Sequence, residues 1–184
     1  MSELAALLKA ARNLDKNALA TIFDLYSPSL YKFISRLIHD PILSDHIIAD
    51  VFVGLVEELG AGRGPRTNIR VYLYQIAYRL VVERSRDIHP HSPLEVSIRK
   101  LGRDKSAPSQ PRTDERVMME ALLTSMNSEL SEDQRIVIIL RFLEDFSLKE
   151  TAEIIGKDVN NVKVIQSRGI ARLQKSMGMQ VDAE

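Results

Sequence analysis

"LKETAEIIGKDVNNVKVIQS", residues 148–167, has the layout of two helices crossing through a tight turn. Such a crossing needs a small residue where the helices approach, a glycine in the turn and apolar anchors on the second helix. Ala152, Gly156, Val162 and Ile165 meet those demands, with Ile155 packing just before the turn. The stretch therefore reads as a helix-turn-helix, whose second helix enters the major groove in DNA-binding proteins. Stepping about 100° per residue from Val162 puts Ile165, Gln166, Gly169 and Leu173 on the buried side. Asn160, Val164, Ser167 and Ala171 then face outward. Lys163 and Arg168 flank that strip, as phosphate-seeking side chains flank base-reading ones. Asn161 and Arg172 complete the candidate duplex-binding set. Gly169 costs about 1 kcal/mol relative to Ala in a helix interior, so its place on the buried side predicts close packing against a neighbouring helix. The alternative is an ordinary helical hairpin with a solvated charged face.

Charge supports the first reading. The chain of 184 residues balances 25 basic against 25 acidic side chains, yet residues 160–175 hold Lys163, Arg168, Arg172 and Lys175 with no acid. A second cluster lies far upstream: residues 60–86 hold Arg63, Arg66, Arg70, Arg79, Arg84 and Arg86 against Glu83 alone. Two basic patches on an otherwise acidic background are the footprint of a protein that touches a polyanion at two places.

The rest of the chain organises around these patches. From Leu14 to Arg86, "LATIFDLY", "LYKFISRLI", "SDHIIADVFVGLVEEL" and "NIRVYLYQIAYRLVVERSR" space apolar residues three and four apart, the period of packed helices. Breaks are expected at Pro28, at Asp40-Pro41 and at "GAGRGP". Residues 87–112, with Pro90, Pro93, Pro108 and Pro111 among Ser, Lys and Arg, read as a flexible linker carrying at most a short helix near Leu94–Leu101. Beyond it, helices are expected at about 114–127, 131–143, 147–155 and 160–176. Two of them open on capping-box spacings, Ser131 with Gln134 and Ser147 with Glu150. The expectation is all-α: two small helical domains, 1–86 and 113–184, joined by the linker, with the helix-turn-helix in the second.

Composition excludes several other classes. An apolar fraction of 45% suffices for a core, and no apolar run approaches the roughly 18 residues of a membrane span. With no basic signal-peptide start, the protein reads as soluble and cytoplasmic. Zero cysteines remove disulfides and thiolate metal sites, and His39, His46, His89 and His91 are too scattered for a metal motif, so no cofactor is expected.

At this point a resemblance has weight. "LSEDQRIVIILRFLEDFSLKETAEIIGKDVNNVKVIQSRGIARLQK" resembles region 4 of bacterial sigma factors of the extracytoplasmic-function (ECF) type. "LYSPSLYKFISRLIHDPILSDHIIADVF", followed by "NIRVYLYQIAYRLVVERSR", is similar to their region 2. The resemblance implies a non-catalytic subunit that binds core RNA polymerase, recognises the minus-35 element with its C-terminal domain and melts the minus-10 element with its N-terminal one. It also implies an anti-sigma partner and no membrane insertion. By the same analogy the helix from Asp45 to Phe52, with His46, Ala49 and Asp50, docks on the polymerase. Arg63, Arg66, Asn68, Arg70, Gln75, Tyr78, Arg79 and Arg86 would hold the melted strand, a role that suits cations with aromatic faces for unstacked bases. Ile69, Leu73, Ile76 and Leu80 form the opposite, core face of that helix, and Tyr72 is assigned to packing.

Two other classes compete. A helix-turn-helix regulator that binds an operator without joining polymerase would share the C-terminal half but would need a sensor or dimerisation domain. A recombinase would need organised acids or a metal beside its nucleophile, which Tyr72, Tyr74 and Tyr78 do not have in sequence.

Overall fold

A computed structural model describes the backbone over residues 3–88 and 114–178 and side chains over 3–84 and 117–178. The chain divides into two compact units, the first four helices forming one and the last four the bulk of the other. No strand occurs among the described residues. The expected short helix near Leu94–Leu101, His89, His91 and the Arg86 side chain lie outside them.

The first unit comprises α1 (Glu3–Arg12), α2 (Lys16–Ile38), α3 (Pro41–Gly60) and α4 (Ile69–Ile88). Its starts are chemically marked. Asp15 accepts from Ala18 N–H at 2.8 Å, and Asp40 accepts from Leu43 N–H at 3.0 Å with Pro41 at the first helical position. Each carboxylate satisfies a donor that the first turn leaves without an intrahelical acceptor. α2, α3 and α4 pack on one another, with α1 against α2 and α3. Ile22, Leu30, Phe33, Ile34, Ile47, Leu55, Ile69, Leu73 and Tyr74 are fully buried between them.

The structure corrects three expectations. Pro28 does not break a helix: α2 runs through it as one 23-residue element. A proline removes one backbone donor, a cost that burial of Tyr26, Leu30 and Phe33 on either side offsets. α1 precedes the first helix expected from the pattern, and it is held by burial of Leu8 and Ala11. Leu80 is only half-buried, whereas Val71, Tyr74, Ala77 and Val81 are inside. α4 packs against two helices at once, so its buried arc is wider than a single stripe.

The second unit contains α5 (Asp114–Glu129), α6 (Glu132–Ile138) with a π-helical continuation (Ile139–Leu143), the first turn of α7 (Leu148–Ile155) and α8 (Val159–Ser176), the rest of α7 being grouped with the first unit. Both expected capping boxes form. Ser131 Oγ accepts from Gln134 N–H while Gln134 Oε1 accepts from Ser131 N–H, and Ser147 with Glu150 repeats the exchange. Asp158 caps α8 by accepting from Asn161 N–H at 2.9 Å. α8 packs on α6 and α5 over a core that includes Met126, Leu130, Ile136, Val137, Leu140, Phe146, Val162 and Leu173, all buried.

Candidate nucleic-acid interface

The helix-turn-helix is formed by α7, the turn 156–158 and α8. Gly156 has φ +66°, the left-handed conformation in which a side chain would be strained. Ala152 is buried.

α8 is rotated as its pattern predicts. Val162 is 0% exposed, and Gly169 and Leu173 are buried, whereas Val164 is 47% exposed. Asn160, Asn161, Lys163, Ser167, Arg168 and Ala171 are all exposed, and Ile165 and Gln166 are half-buried. A Cβ built on Gly169 would meet Ile138 Cγ1 at 3.3 Å and Gln134 Cβ at 3.5 Å, so this glycine lets α8 lie close on α6. The exposed strip carries two amides, a hydroxyl, a valine and two cations: donors, acceptors and methyls that match base edges, with charge at the margins.

Arg172 differs from the other members of the set. Its guanidinium donates to Glu129 O at 3.2 Å and to Gln134 Oε1 at 3.4 Å, which turns it back onto the end of α5. Sequence spacing places Arg172 on the exposed side of α8 but cannot show that the last carbonyls of another helix come within its reach.

The second basic cluster lies on the loop 61–68 and on α4. Arg63 is held by a two-pronged ion pair: its Nε and a terminal nitrogen reach the two Glu58 oxygens at 2.7 and 2.8 Å. This fork-shaped pair holds the Glu58 carboxyl below the usual carboxylate range and raises Arg63 further. Asn68 acts as the cap of α4, accepting from Val71 N–H at 3.2 Å. Arg70 lies 5.7 Å from the centre of the Tyr74 ring. Arg66 is exposed, Gln75 and Tyr78 are half-buried, and Arg79 is 66% exposed with Glu83 4.0 Å away. Tyr72 is half-buried, and burial pushes its phenol up. Arg63, Arg66 and Arg79 are thus all exposed, but Arg63 is tied to Glu58 by a two-pronged pair and Asn68 caps α4.

On α3, Asp45, His46 and Ala49 are exposed along one face. Asp50 is engaged by Arg84 at 3.0 Å, and the half-buried Phe52 ring packs 4.7 Å from Phe23. Sequence reasoning missed that this face continues as an apolar surface: Phe23 is 44%, Val53 55% and Val56 42% exposed. An apolar stripe beside Asp45 and Ala49 has the character of a protein-docking face. The signal was present in the sequence, since Val53 and Val56 follow Ala49 at helical spacing.

Residues 120–173 match the family described as sigma-70, region 4. The chain is 24% identical over 159 residues to the ECF RNA polymerase sigma factor SigX of Bacillus subtilis, covering 85% of this chain and 81% of that one. Among solved structures it is similar to CnrH, determined in complex with the cytosolic domain of CnrY. That match has a TM-score of 0.69 at 18% identity and covers 96% of this chain and 98% of CnrH. It is also similar to the sigma factor RpoE of Bartonella quintana, co-crystallised with the anti-sigma factor NepR. There the TM-score is 0.63 at 20% identity over 88% of this chain and 98% of RpoE.

Proposed function

We propose that this chain, which matches sigma-70 region 4 over residues 120–173 and is similar along most of its length to sigma factors of the ECF type, is itself such a factor and divides the labour between its two units. Residues 1–86 act as region 2, binding core RNA polymerase and opening the minus-10 element. Residues 113–184 act as region 4, reading the minus-35 element, with 87–112 linking them. The observation that carries this reading is α8: Val162 and Leu173 anchor it inward while Asn160, Asn161, Lys163, Val164, Ser167 and Arg168 stand exposed on the other side.

Each unit supports its part by different chemistry. On α8, Lys163 and Arg168 pair with phosphates and so contribute affinity without sequence preference. Val164, Ser167 and the two asparagines read base edges. In the first unit Arg66 and Arg79 hold the backbone of the melted strand, and Tyr78 offers a ring for an unstacked base. Gln75 and Arg70 extend that surface, and Arg86 is assigned to the same role from the sequence alone. Asp45, His46, Ala49, Asp50 and Phe52, with Val53 and Val56, dock on the polymerase.

Such a protein performs no catalysis of its own and takes no cofactor; polymerase supplies the chemistry, and its templates place the work in the cytoplasm. No helix among the described residues is long and apolar enough to cross a membrane. Because CnrH and RpoE were each solved with a binding partner, RpoE with an anti-sigma factor, an anti-sigma partner is proposed for this chain as well. The test is reconstitution: core polymerase from the matched host, this protein and genomic DNA, scored for discrete transcript starts. Promoter-specific initiation that requires both components is expected. Sequence-specific DNA binding with no effect on core polymerase would instead support an operator-binding regulator.

A further inference from the structure

The turn leading into the helix-turn-helix is organised around one arginine. The end of α6 widens to π-helical geometry over Ile139–Leu143, Glu144 N–H reaching back to Ile139 O at 3.0 Å. Phe146 N–H then bonds Leu140 O at 2.9 Å, and Asp145 between them has φ 53°, a left-handed conformation. Wide turns of this kind are rare and gather at functional places. Arg141 sits in it. Its Nε donates to Gln166 Oε1 at 2.9 Å, and a terminal nitrogen donates to the Phe146 carbonyl. One part-buried side chain therefore joins the end of α6, the loop before α7 and the middle of α8.

Gln166 is adjacent in sequence to Ser167 and two positions before Arg168, both on the exposed strip. We infer that Arg141 is a positioning residue for base readout: through Gln166 it fixes the rotation of α8 about its own axis, without touching DNA. The inference rests on α8 being the duplex-reading helix. Geometry indicates why one hydrogen bond matters. Side chains extend the helix to a radius of about 5–6 Å, so a rotation of roughly 10° moves their outer atoms by about 1 Å. Hydrogen bonds to base edges tolerate about half an ångström. Long phosphate-binding side chains absorb that shift, so a slack α8 loses sequence preference before it loses affinity for DNA in general.

The experiment uses the full chain in holoenzyme with core polymerase. Wild type first selects preferred duplexes from a library randomised in the minus-35 region. Affinity for the selected and a scrambled duplex is then measured across salt concentrations for Arg141→Ala, Gln166→Ala, Arg141→Lys and the double alanine variant. Arg141→Ala is expected to reduce the preference about tenfold, the lower end of what one good base contact contributes, with the salt slope unchanged. Gln166→Ala should do the same and the double variant no worse, because the two share one bond. Arg141→Lys should recover part of the preference, since an ammonium reaches one of the two acceptors. Equal loss on both duplexes, with a salt slope shallower by about one, would make Arg141 a phosphate contact and overturn the inference. Multiplicative losses in the double variant, or unchanged preference in either single variant, would overturn it too. Should Arg141→Ala fail to fold, Gln166→Met, which keeps the stem and removes the acceptor, is expected to show the same tenfold loss, and full preference in that variant would overturn the inference. A wild-type holoenzyme that selects no sequence would reject the duplex-reading role of α8 itself, an outcome distinct from a selective wild type matched by its variants.

Discussion

Val162 and Val164 are two residues apart on one helix and have opposite surroundings, so the same substitution at each tests the rotation of α8. Val162 is 0% exposed and Val164 47%. Truncating Val162 to Ala removes two carbons from the core, about 1.6 kcal/mol at about 0.8 kcal/mol each. The cavity left behind adds to this, giving an expected loss of about 2–3 kcal/mol. For a unit of this size each 1 kcal/mol shifts Tm by about 4–8 °C, so the transition of the C-terminal unit should fall by about 10–20 °C. Val164→Ala gives up partial burial but gains helix propensity, and the two cancel to within about 0.5 kcal/mol. Its effect should appear in binding instead: a change of roughly 1 kcal/mol in preference at a base pair whose thymine methyl the valine touches, with the salt slope unaltered. Calorimetry on both variants, with duplex competition for Val164→Ala, measures all of this. If Val164→Ala lowers Tm as far as Val162→Ala does, α8 is rotated otherwise and its outward strip must be redrawn.

Gly169→Ala gains about 1 kcal/mol of helix propensity but presses a Cβ to 3.3 Å from Ile138 Cγ1; urea unfolding should place it within about 1 kcal/mol of wild type. Gly169→Leu should lose at least about 1–3 kcal/mol by overpacking, and a stable leucine variant would mean that α8 does not lie close on α6. Arg66→Ala and Arg79→Ala should weaken promoter opening more than duplex binding, whereas Glu58→Gln, which releases Arg63, should strengthen capture of the melted strand. Permanganate reactivity of unpaired thymines reads each effect, and parallel losses of opening and duplex binding would remove the two arginines from the strand-holding role. Asp145, at φ 53°, should be replaceable by Gly with a gain of up to about 1 kcal/mol and by Val only with a loss of about 1–2 kcal/mol, compared by urea midpoint.

Local chemistry alone determined most of the C-terminal unit. Ser131 with Gln134, Ser147 with Glu150 and Gly156 mark helix ends through bonds spanning three residues or a turn needing positive φ, and they form as read. The inward and outward faces of α8 follow from the 3.6-residue period, which needs no knowledge of what lies on the other side. What the period cannot contain is the identity of the neighbour. That Asp50 meets Arg84 and that Arg172 turns onto Glu129 depend on chain segments brought together by folding. These pairings decide which cations of a basic cluster already have a partner in the fold. The continuity of α2 through Pro28 belongs to the same class: a proline's local cost is fixed, but whether a helix bears it depends on the burial available on both sides. The π-helical turn that brings Arg141 to Gln166 leaves no mark in composition or spacing, because the widening is set by how Ile139, Leu140 and Phe146 pack, all of them buried.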